Sequence, residues 1–189
     1  NRAKVASKDE IVAWAFRLTS KDDLKKKRIL IIGGRSEEPI DDMRIVTNRS
    51  TGLMAVKLAE RAFERGSDVE LWMGGTSVAL PDYIPIKRFE SVAQLCDMVR
   101  TIDHDIVIVP AALADFTPDH VEKGKVPSDQ TFDVKLQPVP KVLPYIRERC
   151  DKVIGFKAES GMSKSDLIAK ARARMAMYDR TAIVAHDLE

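Results

Sequence analysis

From Arg28 onward, short uninterrupted apolar runs alternate with longer stretches whose apolar residues recur every three or four positions. Ile29-Leu30-Ile31-Ile32 is the first such run; residues 69–73, 106–109, 153–156 and 183–185 are similar. Apolar runs of this length read as strands buried on both faces. Between them the 3.6-residue period predicts helices. One covers 52–65, with Ala55, Leu58, Ala59 and Ala62 on one face and Gly66 as its stop. Others cover 91–102, 140–149 and 163–178, the last with a stripe of Ile168, Ala171, Met175 and Tyr178. This alternation predicts an α/β fold: a three-layer, Rossmann-like, mostly parallel sheet with helices on both faces.

Residues 1–27 follow a different pattern. Ser7 and Glu10 form a capping-box signature ahead of a short amphipathic stretch with Ile11, Val12, Trp14, Ala15 and Leu18. A polar, basic run follows, containing Lys21, Lys25, Lys26 and Lys27. The expected division is therefore an N-terminal helix and solvated linker over 1–27 and one domain over 28–189. The chain begins at Asn1 rather than Met, as expected of a piece of something longer.

Length and charge narrow the class. A chain of 189 residues fits one domain, and 44% hydrophobic against 32% charged residues suits a packed core rather than disorder. Lys plus Arg minus Asp plus Glu is 31 − 29 = +2, too small to predict a nucleic-acid or membrane-surface partner. No run reaches the 18 apolar residues of a membrane span, and no secretory signal pattern opens the chain. Cys96 and Cys150 have neither disulfide-framework nor zinc spacing, so a reducing, cytoplasmic setting is expected. His104 and His120 read as surface residues, and Cys96 as a small core residue.

Ligands of such sheets bind at the carboxyl ends of the strands. Two post-strand loops read as unusually long, 33–49 and 114–131. Gly33-Gly34 invites a dinucleotide reading, but Arg35-Ser36-Glu37-Glu38-Pro39 follows instead of a G-x-G-x-x-G, which disfavours a nicotinamide oxidoreductase. No G-K-[ST] of a P-loop occurs. Asn48-Arg49-Ser50-Thr51-Gly52 leads into a helix whose free N–H groups and dipole suit a phosphate or carboxylate; Asn48, Ser50 or Thr51 would each serve as a plain cap. Arg44 lies four residues earlier, suited to a charge-assisted phosphate contact. In the second loop, small residues from Pro110 to Ala114 let a ligand approach the backbone, and Asp115 follows. Lys123-Gly124-Lys125 reads either as a mobile lid bringing cations to a phosphate chain or as a solvated loop.

Together these pieces resemble the phosphopantothenate–cysteine ligase family, also called phosphopantothenoylcysteine synthetases. The matching residues, in chain order, are Gly33-Gly34, Glu38-Pro39-Ile40-Asp41, Arg44, Asn48 to Gly52, Ala111 to Phe116, Lys123 to Lys125, Gly155 to Glu159 and Ile183 to Asp187. The resemblance implies a nucleotide-binding synthetase domain over 28–189. It would join cysteine to 4′-phosphopantothenate through an acyl-nucleotide, using CTP or alternatively ATP, with magnesium accompanying the triphosphate. It implies Asn48 and Lys123 as catalytic residues and Arg44, Asn48 and Ala112 as substrate contacts. Around the nucleotide it implies Gly33, Gly34, Pro110, Ala111, Asp115, Lys123, Val139, Pro140, Lys141, Phe156, Arg174 and Tyr178, with no metal ligand from the protein. The first 27 residues resemble the connector that follows a flavin-dependent decarboxylase half in bifunctional relatives. A fused or partner decarboxylase, no flavin in this half, and a homodimer are therefore implied. Leu53, Lys141, Tyr178 and His186 depart from residues the family usually carries. These departures keep a non-catalytic nucleotide-binding module of the same fold as the alternative.

Overall fold

β1 (Arg28–Gly33) is the central strand, apolar at every position from Ile29 to Ile32 because both of its faces are covered. The computed structural model describes residues 5–159, 161–177 and 182–187. The elements before and after β1 run α1 (Lys8–Thr19), β2 (Glu37–Pro39), β3 (Ile45–Thr47), α2 (Leu53–Glu64), β4 (Asp68–Met73), β5 (Ile86–Arg88), α3 (Val92–Val99) and β6 (Ile106–Val109). There follow β7 (Phe116–Pro118), β8 (Leu136–Pro138), α4 (Val142–Arg147), β9 (Val153–Glu159), α5 (Lys164–Met177) and β10 (Ala182–Asp187). The main sheet has the order β10-β9-β6-β1-β4-β5, and every pairing in it is parallel.

Period two divides the core. Ile29 and Ile31 join Val69, Leu71 and Met73 on one face, under Ala55, Val56, Ala59, Ala62 and Phe63 of α2. Leu30 and Ile32 join Trp72 and Val107 on the other, under Val92, Leu95 and Val99 of α3 and Val142 and Ile146 of α4. The expected three-layer α/β architecture is what the chain forms. No helix among the described residues is long and apolar enough to cross a membrane.

Several expectations need correction. Both long loops contain antiparallel ladders. β2 pairs with β3 inside the first, and β7, at the start of the second, pairs with β8 beyond its end. Three-residue strands such as Glu37-Glu38-Pro39 are too short and too polar to show a period. The stripe expected on α5 holds at Ala171, which is buried, but Leu167 is buried in place of Ile168, and Ile168 and Met175 are exposed. On α1, Ser7 caps as expected, accepting the Glu10 N–H at 3.0 Å. The helix packs on α2. It does so through Ala13, through Trp14 edge-on to Phe63 at 5.2 Å, and through Arg17. The Arg17 guanidinium donates to the carbonyls of Phe63, Gly66 and Ser67 at the end of α2. The basic run is tied down too, since Leu24 N–H donates to Arg65 O at 3.1 Å.

Gly33 sits where β1 passes under α2. Its backbone is ordinary strand, so contact rather than conformation excludes a side chain. A methyl there lies 2.0 Å from Ala55 Cβ. Gly33→Ala is expected to destabilise the fold by about 1–3 kcal/mol through overpacking. Adding Ala55→Gly should recover part of that loss. The check is the denaturant midpoint of the two single variants and the double; an additive double variant would mean the two residues do not collide.

Candidate functional site

The chain runs from β1 to β4 and β5 on one side, then returns across β1 to β6, β9 and β10 on the other. That reversal makes a topological switch point between β1 and β6, where parallel α/β sheets open a crevice at their carboxyl ends. A cavity of about 290 Å³ lies at this end of the sheet, on the β6–β9 side. Its walls come from 111–115 after β6, 140–143 at the start of α4, 155–158 of β9, and Ile183. Ala111, Ala112, Ala114, Gly155 and Ala158 keep one wall low, so a flat ring can approach the backbone beside Phe156. The polar groups are Asp115, Lys141 and Lys157.

Lys141 donates to the Asp115 carboxylate, and both side chains are more than half exposed. Such a pair contributes only about 0–1 kcal/mol, so a polyphosphate can draw Lys141 away at little cost. Lys157 is paired with Glu159 at 2.5 Å, and Lys170 stands 3.6 Å from the same carboxylate. The Lys157 hydrogen bond holds Glu159 below the ordinary glutamate range, against the smaller opposing effect of burial.

Of the residues implied for the nucleotide, Ala111, Asp115, Pro140, Lys141 and Phe156 line this cavity, and Pro110 leads into it. Gly33 and Gly34 do not line it. Gly33 packs on Ala55, and Gly34 turns with φ 78° against Gly75 O, so both serve close backbone approach. Val139 is a core residue whose N–H donates to Asp115 O at 3.0 Å, setting the cavity wall from behind. Arg174 lies on α5, and Tyr178 falls outside the described residues.

Asn48 reaches the cavity from the other side of the switch point. Its Nδ2 donates to Ala112 O at 3.2 Å and Leu113 O at 2.9 Å. With two carbonyls on that side, the NH₂ must face them, which leaves Oδ1 as its polar atom without a protein partner among the described residues. Asn48 is therefore not a cap. Gly52 is the N-cap of α2, with φ 79° and no side-chain cap bond. The Thr51 and Ser50 hydroxyls accept local N–H groups, of Leu53 at 3.3 Å and Gly52 at 3.4 Å.

The two small hairpins meet at Asp41. Its side chain is fully buried and accepts N–H bonds from Met43, Arg44 and Val126, plus the Arg44 guanidinium. Burial alone would push this carboxyl up, but those four donors outweigh it and bring it down to about 2. Arg44, expected at a phosphate, is thus engaged by Asp41 and by Val126 O. Lys123 is exposed, on a loop seated against residues 40–44 rather than hanging free. Arg44 and Asn48 are separated by four residues, roughly 13 Å of extended chain.

Sequence reasoning missed four supports. Arg35 bridges the loops after β4 and β6 through its backbone, and its guanidinium donates to Ser50 O at 3.0 Å and pairs with Glu37. Buried Ser36 accepts the Ala114 N–H at 2.9 Å, buried Glu38 accepts the Val92 N–H at 2.9 Å, and Asp41 ties the hairpins. The signal for all four is their position in a loop too long for a simple connection, joined for Glu38 and Asp41 by the family resemblance. His104 is also not a surface residue. It is mostly buried, 3.4 Å from Glu70, and burial lowers its pKa. Cys96 is half-buried with its thiol pushed up by that burial, as suits a packing residue.

Known proteins share this sequence and fold. The chain is 33% identical over 195 residues to the coenzyme A biosynthesis bifunctional protein CoaBC of Thermococcus kodakarensis, covering 100% of this chain and 48% of that protein. It is 35% identical over 193 residues to the protein of the same name from Methanocaldococcus jannaschii, covering 99% and 47%. It therefore spans about half the length of these curated relatives. The crystal structure of the C-terminal domain of a coenzyme A biosynthesis bifunctional protein CoaBC superposes with a TM-score of 0.73 at 30% identity, covering 88% of this chain and 80% of that one. Residues 24–189 match the DNA/pantothenate metabolism flavoprotein C-terminal domain, and the chain belongs to that family.

Proposed function

We propose that this domain is a phosphopantothenate–cysteine ligase, the synthetase half of a bifunctional coenzyme A biosynthesis protein. The observation that carries the reading is the Asn48 bridge to Ala112 and Leu113, which brings the entry of α2 to the rim of the cavity. The relatives' names support it. In the proposed reaction, a carboxylate oxygen of 4′-phosphopantothenate attacks the α-phosphorus of CTP, or alternatively ATP, and pyrophosphate leaves. The cysteine amine then attacks the acyl carbon of the acyl-nucleotide, loses a proton, and the nucleoside monophosphate departs.

Both steps move negative charge onto leaving phosphate, so positioned donors and cations are what the chemistry needs. Phe156 and the alanine wall suit the base, and Lys141 and Lys157 suit phosphate oxygens. Asn48 Oδ1 suits the N–H of the incoming amine, and Lys123 the departing pyrophosphate. Among the described residues no three-member group of His, Cys, Asp or Glu is placed to hold a metal ion. In this proposal magnesium accompanies the triphosphate's own oxygens. A cytoplasmic homodimer with a fused decarboxylase half completes the proposal. Exposed Met43 and Ile45 beside β2–β3, with Phe116 and Leu136 on β7–β8, support a covered face.

Three outcomes follow from this reading. Isotope exchange between pyrophosphate and CTP should require phosphopantothenate but not cysteine, and should exceed exchange with ATP; exchange that waits for cysteine would sink the two-step scheme. Asn48→Ala should lower turnover more than about tenfold, equivalent to about 1.4 kcal/mol of barrier. Its folding cost should stay near ~1 kcal/mol, because the lost hydrogen bonds are exposed. Normal turnover in that variant would reduce Asn48 to a structural bridge. Lys123→Ala should lower kcat more than nucleotide affinity, with Lys125→Ala milder; steady-state kinetics on both variants decides.

A further inference from the structure

The two oxygens of Asp41 have separate duties. Oδ1 accepts the backbone N–H of Met43 at 2.8 Å and of Arg44 at 2.7 Å, closing the turn between β2 and β3. Oδ2 accepts the N–H of Val126 at 3.1 Å, 85 residues away in the chain, and the Arg44 guanidinium. That guanidinium also donates from both terminal nitrogens to Val126 O at 3.1 Å. Two neighbours extend the tie. Asp42 exchanges hydrogen bonds with Gly124, its N–H donating to Gly124 O and its Oδ2 accepting the Gly124 N–H, both at 3.2 Å. Glu122 N–H donates to Ile40 O at 2.9 Å.

The tied residues Glu122, Gly124 and Val126 therefore interleave with Lys123 and Lys125. Gly124 has φ 80° and nothing near where a side chain would go, so its glycine is required by backbone conformation, not by space. That conformation turns both of its polar backbone groups onto Asp42. Apolar burial does little for residues 119–130, since Val121 is exposed and half-buried Val126 is the one other aliphatic side chain among them. Its placement rests on hydrogen bonds to residues 40–44, with a buried carboxylate at their centre.

We propose that Asp41 is a positioning residue of the ligase: through Oδ2 it seats the Lys123-bearing loop beside Arg44, while Oδ1 maintains the turn. The proposal rests on the ligase reading above. Asp41→Asn separates the two duties. The amide keeps one acceptor for Met43 and Arg44 but turns a donor toward Val126 N–H and the guanidinium, where only an acceptor fits. Val126→Pro removes the same N–H from the loop side and leaves the turn untouched.

The test combines amide hydrogen exchange and kinetics on the chain and these variants. Asp41→Asn should speed exchange at Gly124 and Val126 while Met43 and Arg44 stay protected, which also shows that the variant folds. It should lower kcat by about tenfold to a hundredfold, as a misplaced catalytic group does, and leave the cysteine KM where it was. Val126→Pro should speed exchange at Gly124 and lower kcat alike. In a Lys123→Ala background, Asp41→Asn should cost little more, because residues acting as one unit are not additive. Unchanged exchange at Gly124 and Val126, or a kcat loss that multiplies in full with that of Lys123→Ala, overturns the proposal. A wild-type chain without ligase turnover overturns the ligase reading and not the latch, which the exchange rates decide without any substrate.

Discussion

The site depends on how the chain leaves β1. Gly34 O accepts the Ala112 N–H at 2.8 Å, and Arg35 exchanges backbone hydrogen bonds with Gly75 at 3.0 and 2.8 Å. One short segment thus stitches the loop after β4 to the loop after β6, across the point where the sheet topology reverses. The backbone can do this because Gly33 and Gly34 carry no side chains where α2 and Gly75 press in. With Ser36 behind Ala114 and Asn48 behind Ala112 and Leu113, that stitch holds the wall from Ala111 to Asp115 on its β1 side.

Charges of the cavity and of the two hairpin loops are largely arranged in pairs. Arg44 has Asp41, Lys141 has Asp115, and Lys157 has Glu159, while Lys123 has no carboxylate ion pair among the described residues. Partial pairing suits the proposed binding of a triphosphate. A site lined with unpaired cations would repel itself when empty, whereas exposed pairs such as Lys141–Asp115 exchange partners cheaply. Asp41–Arg44 is the opposite case. Its carboxylate is buried and bound by four donors, so breaking it leaves an uncompensated charge, a severe cost. Exchangeable pairs sit where ligand is expected, and the fixed pair sits where geometry must be held.

Much of the fold is legible in the sequence. Ile29 to Ile32 could only be a strand covered twice, and the small face of Ala55, Ala59 and Ala62 could only be a helix lying close on a sheet. The same pattern failed at the hairpins. Three-residue strands made of Glu37-Glu38-Pro39 or Leu136-Gln137-Pro138 carry no period, so two loops were read where two ladders form. It failed again on α1, where Trp14 and Arg17 make the contacts and Ile11 and Leu18 stay exposed. Amphipathic spacing tells which residues share a face, not whether a neighbour covers it.

For the site, local sequence marks which loops carry the candidate chemistry. Small residues after β6, a polar approach to α2, and paired lysines around a glycine are chemical features that do not depend on distant partners. Only tertiary structure decided what each residue does there. Asn48 became a bridge rather than a cap because Ala112 and Leu113, more than sixty residues later, present their carbonyls to it. Asp41 became the centre of a latch because Val126, 85 residues on, arrives beside it. Burial and partnership are properties of the folded chain. A carboxylate in a polar loop reads the same whether it ends in water or at the centre of four hydrogen bonds, and sequence spacing carries no record of which neighbour the fold will bring.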